Sequence, residues 1–283
     1  MMVTGVSTGI GRDAARMLVE RGVHVFGSVR SPVAADGFQK AFGDSVTPLL
    51  FDVSDPEAVE AARRTVEDRV GDQGLSGLVN NAGRGLSGPL QHIPPENLRR
   101  VFDVNVFGLI FVTQTFLPLL GARRNCPHPA GRIVNISSTT GRIALPFMGP
   151  YASTKHAVEG LSDSLRRELS LYGIKVTVIQ PGPIRTPIWD KETHDPGALG
   201  DYAPYFEGFS KGAARRAAAT ALPVEKVTDT IERALFAPKP KPRYLVTPGF
   251  WTSWVLPRLL PDHWVDAQLE KVIGWRPLNR PRR

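Results

Sequence analysis

Tyr151 and Lys155 stand four residues apart, and Ser138 lies thirteen residues before the tyrosine. On a helix, residues four apart share one face, a turn from each other. A tyrosine phenol has a reference pKa near ~10 and is a poor base at neutral pH. An ammonium held beside it favours the phenolate and brings that value toward a range useful for moving protons. Alone, a Tyr-x-x-x-Lys pair is ordinarily a helix surface, so its meaning depends on its company. Here Thr4-Gly5-Val6-Ser7-Thr8-Gly9-Ile10-Gly11 occurs where a strand is expected to turn into a helix. Such a turn needs one glycine for the tight bend, a second so that backbone can approach a phosphate, and a third for close packing. The N–H groups of the following helix then point at the phosphate. A phosphate cradle thus accompanies a proton-transfer pair.

Both need a scaffold. β-rich apolar runs at 2–4, 23–29, 46–52, 76–80, 131–137, 174–179 and 243–247 alternate with stretches of helical period. Ala14, Ala15, Leu18 and Val19 repeat at helical spacing, as do Val158, Leu161, Leu165 and Leu169. This alternation predicts α/β architecture: a Rossmann-type doubly wound parallel sheet of about seven strands, with helices on both faces, in a single domain. Only Met1, Met2 and Val3 precede the glycine turn, against about five or six residues in a typical strand. A misassigned start and a natural truncation both fit that shortness. Residues 237–243, alternating Pro and Lys, read as an extended connector, and 121–130 as a solvated loop.

A chain of 283 residues is near the upper size for one hydrophobic core. It holds no uninterrupted apolar run of the length needed to span a bilayer, and the early glycine motif leaves no room for a signal peptide. Cys126 is the only cysteine, which excludes intramolecular disulfides and cysteine metal clusters and suits a reducing cytoplasm. The six histidines show no paired ligand spacing, so no metal is expected. The net charge is +8, of which residues 239–283 hold +6, with nine Lys or Arg against Asp262, Asp266 and Glu270. No basic groove or nucleic-acid module accompanies that excess.

The sequence resembles the short-chain dehydrogenase/reductase family over most of its length. The glycine segment has that family's TGxxxGIG spacing, and Asn80-Asn81-Ala82-Gly83 its NNAG motif after a strand. Asn105, Ser138, Tyr151 and Lys155 fall in the order and spacing of its catalytic tetrad, and Pro181-Gly182 with Thr186 matches its PGxxxT segment. The resemblance implies an NAD(P)-dependent enzyme acting on CH–OH and C=O groups. It implies Tyr151 as proton donor or acceptor, Lys155 on the nicotinamide ribose, Ser138 on the substrate oxygen and Asn105 positioning a water. The family spacing selects Ser138 over the rival Ser137, which an extended strand would turn to the opposite face. Cofactor contacts are implied at Gly5, Ser7, Thr8, Gly9, Ile10, Gly11, Asp52, Val53, Asn80, Ala82, Gly83, Tyr151, Lys155, Pro181, Gly182, Ile184 and Thr186.

Cofactor choice turns on the end of the second strand, where an acid holds a ribose 2′-hydroxyl and an arginine accommodates a 2′-phosphate. Val29 occupies the acid position and Arg30 follows it, which favours NADP(H) over NAD(H). Thr8 departs from the basic residue that many NADP-binding relatives carry there. Asp52 resembles the family's contact to the adenine amine.

The family's pocket lies beyond the carboxyl ends of the strands. Pro146, Phe147 and Met148 are expected to wall it beside Ser138 and Tyr151, and residues 187–222 to form a lid with Trp189, Tyr202, Tyr205 and Phe206. These rings favour a hydrophobic, steroid-, retinoid- or lipid-like substrate, although each could equally serve the lid's own core. Gly141-Arg142, Leu165-Arg166-Arg167 and Thr186-Pro187 look particularly like hydroxysteroid, retinol and 3-hydroxybutyrate dehydrogenases. The cofactor-binding domain is expected over 1–248, with a basic, aromatic-rich extension over 249–283. That extension reads as a helix covering the pocket or a subunit interface, with peripheral docking on an anionic membrane as the second reading. By resemblance the chain pairs into a dimer or tetramer through helices around 95–120 and 152–171. Phe102, Val106, Leu109 and Phe111 suit core and interface equally. Two other function classes fit the fold: an epimerase or lyase, and a nucleotide-binding sensor or scaffold without turnover. The complete tetrad weighs against the second.

Overall fold

The computed structural model describes residues 1–188 and 196–275. Each β-rich run becomes a strand: β1 (Met2–Val3), β2 (Val25–Val29), β3 (Val46–Leu50), β4 (Gly77–Asn80), β5 (Arg132–Ile136), β6 (Lys175–Pro181) and β7 (Arg243–Val246). They form one parallel sheet in the order β3-β2-β1-β4-β5-β6-β7. The order reverses between β1 and β4, where an open α/β sheet leaves a crevice beyond its carboxyl ends. The helices are α1 (Gly9–Glu20), α2 (Pro32–Phe42), α3 (Pro56–Val70), α4 (Pro95–Phe102), α5 (Gly108–Phe116), α6 (Gly149–Glu168), α7 (Ala203–Thr220), α8 (Glu225–Phe236), α9 (Leu256–Leu259) and α10 (Asp262–Ile273).

Local chemistry sets several boundaries. Ser31 accepts a hydrogen bond from Ala34 N and is followed by Pro32 at the first position of α2. Asp55 does the same for Glu57 N and Ala58 N ahead of Pro56 and α3. Both are N-caps followed by a ring whose missing N–H costs nothing there. Alternate strand residues feed two apolar layers, one on each face of the sheet. Val3, Val25 and Val134 pack with Ala14, Leu18 and Ile231, while Met2, Phe26 and Leu78 pack with Val66, Val112 and Phe116.

β1 is as short as its sequence implies, yet it lies wholly buried at the sheet centre. Backbone on either side extends its ladder: Phe26 N donates to Met1 O at 2.9 Å and Thr4 N to Val79 O at 3.0 Å. The loop over 121–130 is only partly solvated. Arg123 and Arg124 are exposed, but His128 is buried, because its ring fills the space that a side chain at Gly74 would need.

Candidate active site

The glycine turn is held from two sides. Gly5 N donates to Ser28 Oγ at 2.9 Å, and Asn81 Nδ2 donates to Thr4 O at 2.9 Å and Gly5 O at 3.2 Å. Gly5 and Gly9 have φ of +71° and +59°, a region that side chains resist. A Cβ on Gly11 would sit 2.2 Å from Gly5 O, so the third glycine lets α1 close against the turn. Thr8 enters α1 with extended backbone and no capping bond from its side chain, which leaves the helix N-terminus to an outside anion. Ser7 and Thr8 are exposed and Ile10 half-buried around it. A cradle that a Cβ would fill, beside an uncapped helix start, fits a nucleotide pyrophosphate.

At the ends of β2 and β3, Arg30 and Asp52 lie together, Nη1 to Oδ2 at 4.0 Å. Asp52 Oδ1 accepts from Ser54 N and Ser54 Oγ, which fixes the carboxylate. Arg30 is more than half exposed and no acid ends β2, so its guanidinium is available to a phosphate. Val53 is buried beside Asp52, where a Cβ on Gly108 would strike it.

Asn80 ends β4. Its side chain is buried and donates to Thr113 Oγ1 and Asn135 Oδ1, both at 2.9 Å. Only its backbone remains at the strand end. Ala82 N and Asn81 N both donate to Thr4 Oγ1 at 2.9 Å. Gly83 lies where Asn105 and Lys155 converge, its added Cβ being 3.5 Å from Asn105 Oδ1 and 3.8 Å from Lys155 Nζ.

Between α4 and α5 the chain makes a π-helical turn over Asp103–Phe107, with Asn105 buried in it. Such turns recur at functional sites. Arg84 N donates to Asn105 Oδ1 at 2.8 Å, while Asn105 Nδ2 donates to Arg84 O and Thr154 Oγ1, both at 3.0 Å. Both amide hydrogens are therefore used. A water would have to bond the remaining Oδ1 lone pair or nearby backbone, because the rest of the carboxamide is a clasp.

Tyr151 and Lys155 lie buried in the first half of α6, with Lys155 Nζ 5.6 Å from the centre of the tyrosine ring. Lys155 Nζ donates to Ile136 O at 3.0 Å, at the end of β5. Burial pushes its pKa down to about 8, and the Glu159 carboxylate one turn later acts against that shift. Glu159 is buried and accepts from Arg243 Nε at 2.8 Å, Gln180 Nε2 at 2.9 Å and Arg142 Nη2 at 3.2 Å. Ser138, just beyond β5, accepts from Thr140 N at 3.1 Å and Thr140 Oγ1 at 2.9 Å. Those two bonds occupy its lone pairs and leave the hydroxyl proton to be donated. Ser137 is more deeply buried, and its Oγ has no hydrogen-bond partner.

Pro181 ends β6, and Gly182 N donates to Val246 O at 2.8 Å. A Cβ on Gly182 would meet Thr247 Oγ1 at 2.4 Å, so the chain turns closely past β7. Ile184 bridges to Leu222, and Thr186 approaches Gly9, 3.4 Å from where its Cβ would be. The PGxxxT segment thus folds back onto the glycine turn. Phe147, with φ of +65°, packs among Tyr202, Phe206, Phe209 and Trp275, ring centres 5.3 to 6.3 Å apart. Tyr205 contacts Trp275, and Pro146 and Met148 flank Phe147 half-buried. The expected pocket walls are brought together, but they also pack on one another as a small core. Trp189 lies outside the described residues.

Ser28, Thr140, Thr154, Glu159 and Trp275 were not singled out in the sequence. Ser28 and Glu159 gave no local signal, since their partners are distant in the chain. Thr140 lies two residues after Ser138 and Thr154 one before Lys155, so proximity to the tetrad could have flagged both. Among the described residues, no group of His, Cys, Asp and Glu could hold a metal ion, and no helix is long and apolar enough to cross a membrane.

Comparison with known proteins agrees with this geometry. The family model for short chain dehydrogenases matches residues 1–197. An NADPH-dependent 3-dehydrocapnine reductase of Ornithobacterium rhinotracheale is 42% identical over 267 residues, 94% of each chain. Retinol dehydrogenase 5 of Mus musculus is 34% identical over 96% of this chain and 88% of its own. Among solved structures, a short-chain dehydrogenase from Streptomyces avermitilis superposes with a TM-score of 0.74 at 29% identity, covering 97% of this chain and 94% of its own. An F189W variant of actinorhodin polyketide ketoreductase with NADPH gives 0.73 at 27% identity, covering 88% and 95%. The chain belongs to the short-chain dehydrogenase family of oxidoreductases.

Proposed function

We propose that this oxidoreductase uses NADP(H) to interconvert a carbonyl and a secondary alcohol on a hydrophobic substrate, with Tyr151 as general acid and base. The observation that carries the reading is the buried pairing of Tyr151 with Lys155 beside a serine left as a donor. The bound nicotinamide supplies or accepts the hydride. In the reducing direction Ser138 Oγ donates a hydrogen bond to the carbonyl oxygen while Tyr151 Oη gives that oxygen its proton, so C=O becomes CH–OH. The phenolate left behind is favoured by the Lys155 ammonium, whose charge is felt strongly in a buried site. In the oxidising direction the phenolate takes the hydroxyl proton back.

Arg30 and the missing acid at the end of β2 support NADP(H). Two relatives whose names or titles print NADPH point the same way. The half-buried rings of Tyr202, Tyr205 and Phe209, at the edge of the cluster around Phe147, support an apolar substrate, since covering their remaining apolar surface is worth roughly 25 cal/mol per Å². The backbone strain at Phe147 is of a kind that clusters at functional sites. Pairing of subunits through the face carrying the exposed Phe107 belongs to the same reading.

The test is NADPH consumption against steroid, retinoid, aliphatic and aromatic carbonyls, with Tyr151→Phe as the paired variant. Loss of one general acid lowers turnover by about 10²–10⁴-fold, with NADPH affinity nearly unchanged. A variant that keeps wild-type turnover refutes the role of Tyr151. Nucleotide binding without turnover on any carbonyl shifts the reading to a sensor or scaffold.

A further inference from the structure

Fourteen large apolar side chains stand exposed among the described residues, and seven of them fall within 250–272. Phe250, Trp251, Leu259, Trp264 and Val272 are 51%, 68%, 76%, 59% and 69% exposed. Contact with the rest of the protein accounts for other side chains of this stretch. Trp254 is buried, Trp275 packs on Phe147, and Val265, Leu269 and Ile273 form the half-buried stripe of α10, which packs against α7. The outward side chains are left over from that packing, and a concentration of this kind marks an interaction surface.

Charge around the patch is sorted. On α10, Trp264 and Val272 share a flank with Lys271, whereas Asp262, Asp266 and Glu270 repeat every four residues as a separate stripe on the other flank. Arg258 lies 5.0 Å over the Trp254 ring. The sequence continues with Arg276, Arg280, Arg282 and Arg283 and no acid. Over residues 250–283 the sequence thus carries six arginines or lysines against three acids, and an anionic bilayer supplies the opposite charge together with an apolar layer beneath it. Tryptophan, with an apolar ring and a polar N–H, also settles at the level of lipid headgroups.

We propose that residues 250–275 form a peripheral docking surface for an anionic phospholipid bilayer. Trp251, Leu259 and Trp264 enter the boundary between headgroups and acyl chains, and the basic side chains beside them hold the surface against the anionic layer. The surface ends at Trp275, so docking brings the aromatic cluster around Phe147 next to the lipid.

The test uses the full chain and sedimentation with vesicles of phosphatidylcholine containing about one third phosphatidylglycerol, against vesicles of phosphatidylcholine alone. The protein is expected on the anionic vesicles at low salt and released as salt screens the charges. A Trp251→Ser, Leu259→Ser, Trp264→Ser variant is expected to partition roughly a hundredfold less, with NADPH binding and melting behaviour retained. Should that variant fold poorly, Lys271→Glu with Arg258→Glu serves in its place, with an expected loss of about tenfold or more. Absence of the wild-type chain from anionic vesicles at low salt overturns the proposal, as does wild-type partitioning by a folded variant. Loss of an oligomer in the triple variant, with no vesicle binding by either protein, overturns it in favour of an interface between copies.

Discussion

Replacing Lys155 by methionine is expected to abolish turnover while stabilising the nucleotide-free protein at neutral pH. The ammonium is buried, and its pKa is pushed from 10.5 to about 8 by that burial. At about 1.4 kcal/mol per pKa unit, the charged form costs the folded state about 3 kcal/mol relative to water. Methionine keeps the length and apolar stem of the side chain. It leaves Ile136 O without the donor now at 3.0 Å, which costs about 1–2 kcal/mol. The net expectation at pH 7 is a variant more stable by about 1–2 kcal/mol. The sign of the pH dependence follows from linkage. Between the folded value near 8 and the unfolded value of 10.5, the unfolded wild type binds more protons at this site. Wild-type stability therefore rises with pH across that window, and it falls as pH drops through about 8. The methionine variant lacks this dependence, so its advantage shrinks above pH 8 and, at about 1.4 kcal/mol per pH unit, reverses at about pH 9. Equilibrium urea unfolding of both proteins at several pH values, without nucleotide, measures the difference. A variant less stable than wild type at pH 7, or a difference flat across the window, refutes the reasoning.

Two other substitutions test the nucleotide cradle. Arg30→Ala is expected to weaken NADPH binding by about tenfold, because a charge-assisted contact to a phosphate is lost, and to leave NADH within about twofold. Equal weakening of both in a fluorescence titration removes the assignment of Arg30 to a 2′-phosphate. Gly11→Ala places a Cβ 2.2 Å from Gly5 O and 2.4 Å from Asn81 Nδ2, neither of which can yield without moving the turn. A loss of about 1–3 kcal/mol in unfolding free energy and a marked fall in nucleotide affinity are expected; wild-type values for both would show that α1 does not close on the turn as described.

The parts of this protein that were legible in its sequence are those set by local pattern. Runs such as Val25–Val29 and Arg132–Ile136 declare themselves as strands, because Val, Ile and Phe concentrated in short runs suit a parallel sheet buried on both faces. The glycine turn and the tetrad are short patterns of fixed spacing, and the structure places Asn105, Gly83 and Lys155 near one another. What was hidden depends on partners far along the chain. Glu159 resembles any solvated helix acid until β6 and β7 bring Gln180 and Arg243 to it, 21 and 84 residues away. Phe147 adopts φ of +65° with nothing in its side chain to announce it. Trp275 reaches Phe147 and Tyr205 on α7 only through the path of α10.

The hydrogen bonds within the site explain why its motifs act as a unit. Asn81, after β4, holds the backbone of Thr4 and Gly5 after β1. Asn105, in the π turn, holds Arg84 after β4 and Thr154 on α6. Lys155, on α6, holds Ile136 at the end of β5. Each polar side chain is thus anchored to an element other than its own, so β1, β4, the π turn, α6 and β5 are cross-braced in sequence. The short β1 gains most from this arrangement. With two strand residues it could not by itself fix the direction of the glycine turn, whereas bonds from Ser28 on β2 and Asn81 after β4 fix it from both neighbours. The same bracing means that the glycine turn and the Tyr151–Lys155 pair are placed relative to each other by side-chain amides. Asn81 ties the glycine turn to the segment after β4, and Asn105 ties that segment to α6, so the two amides together span from one motif to the other.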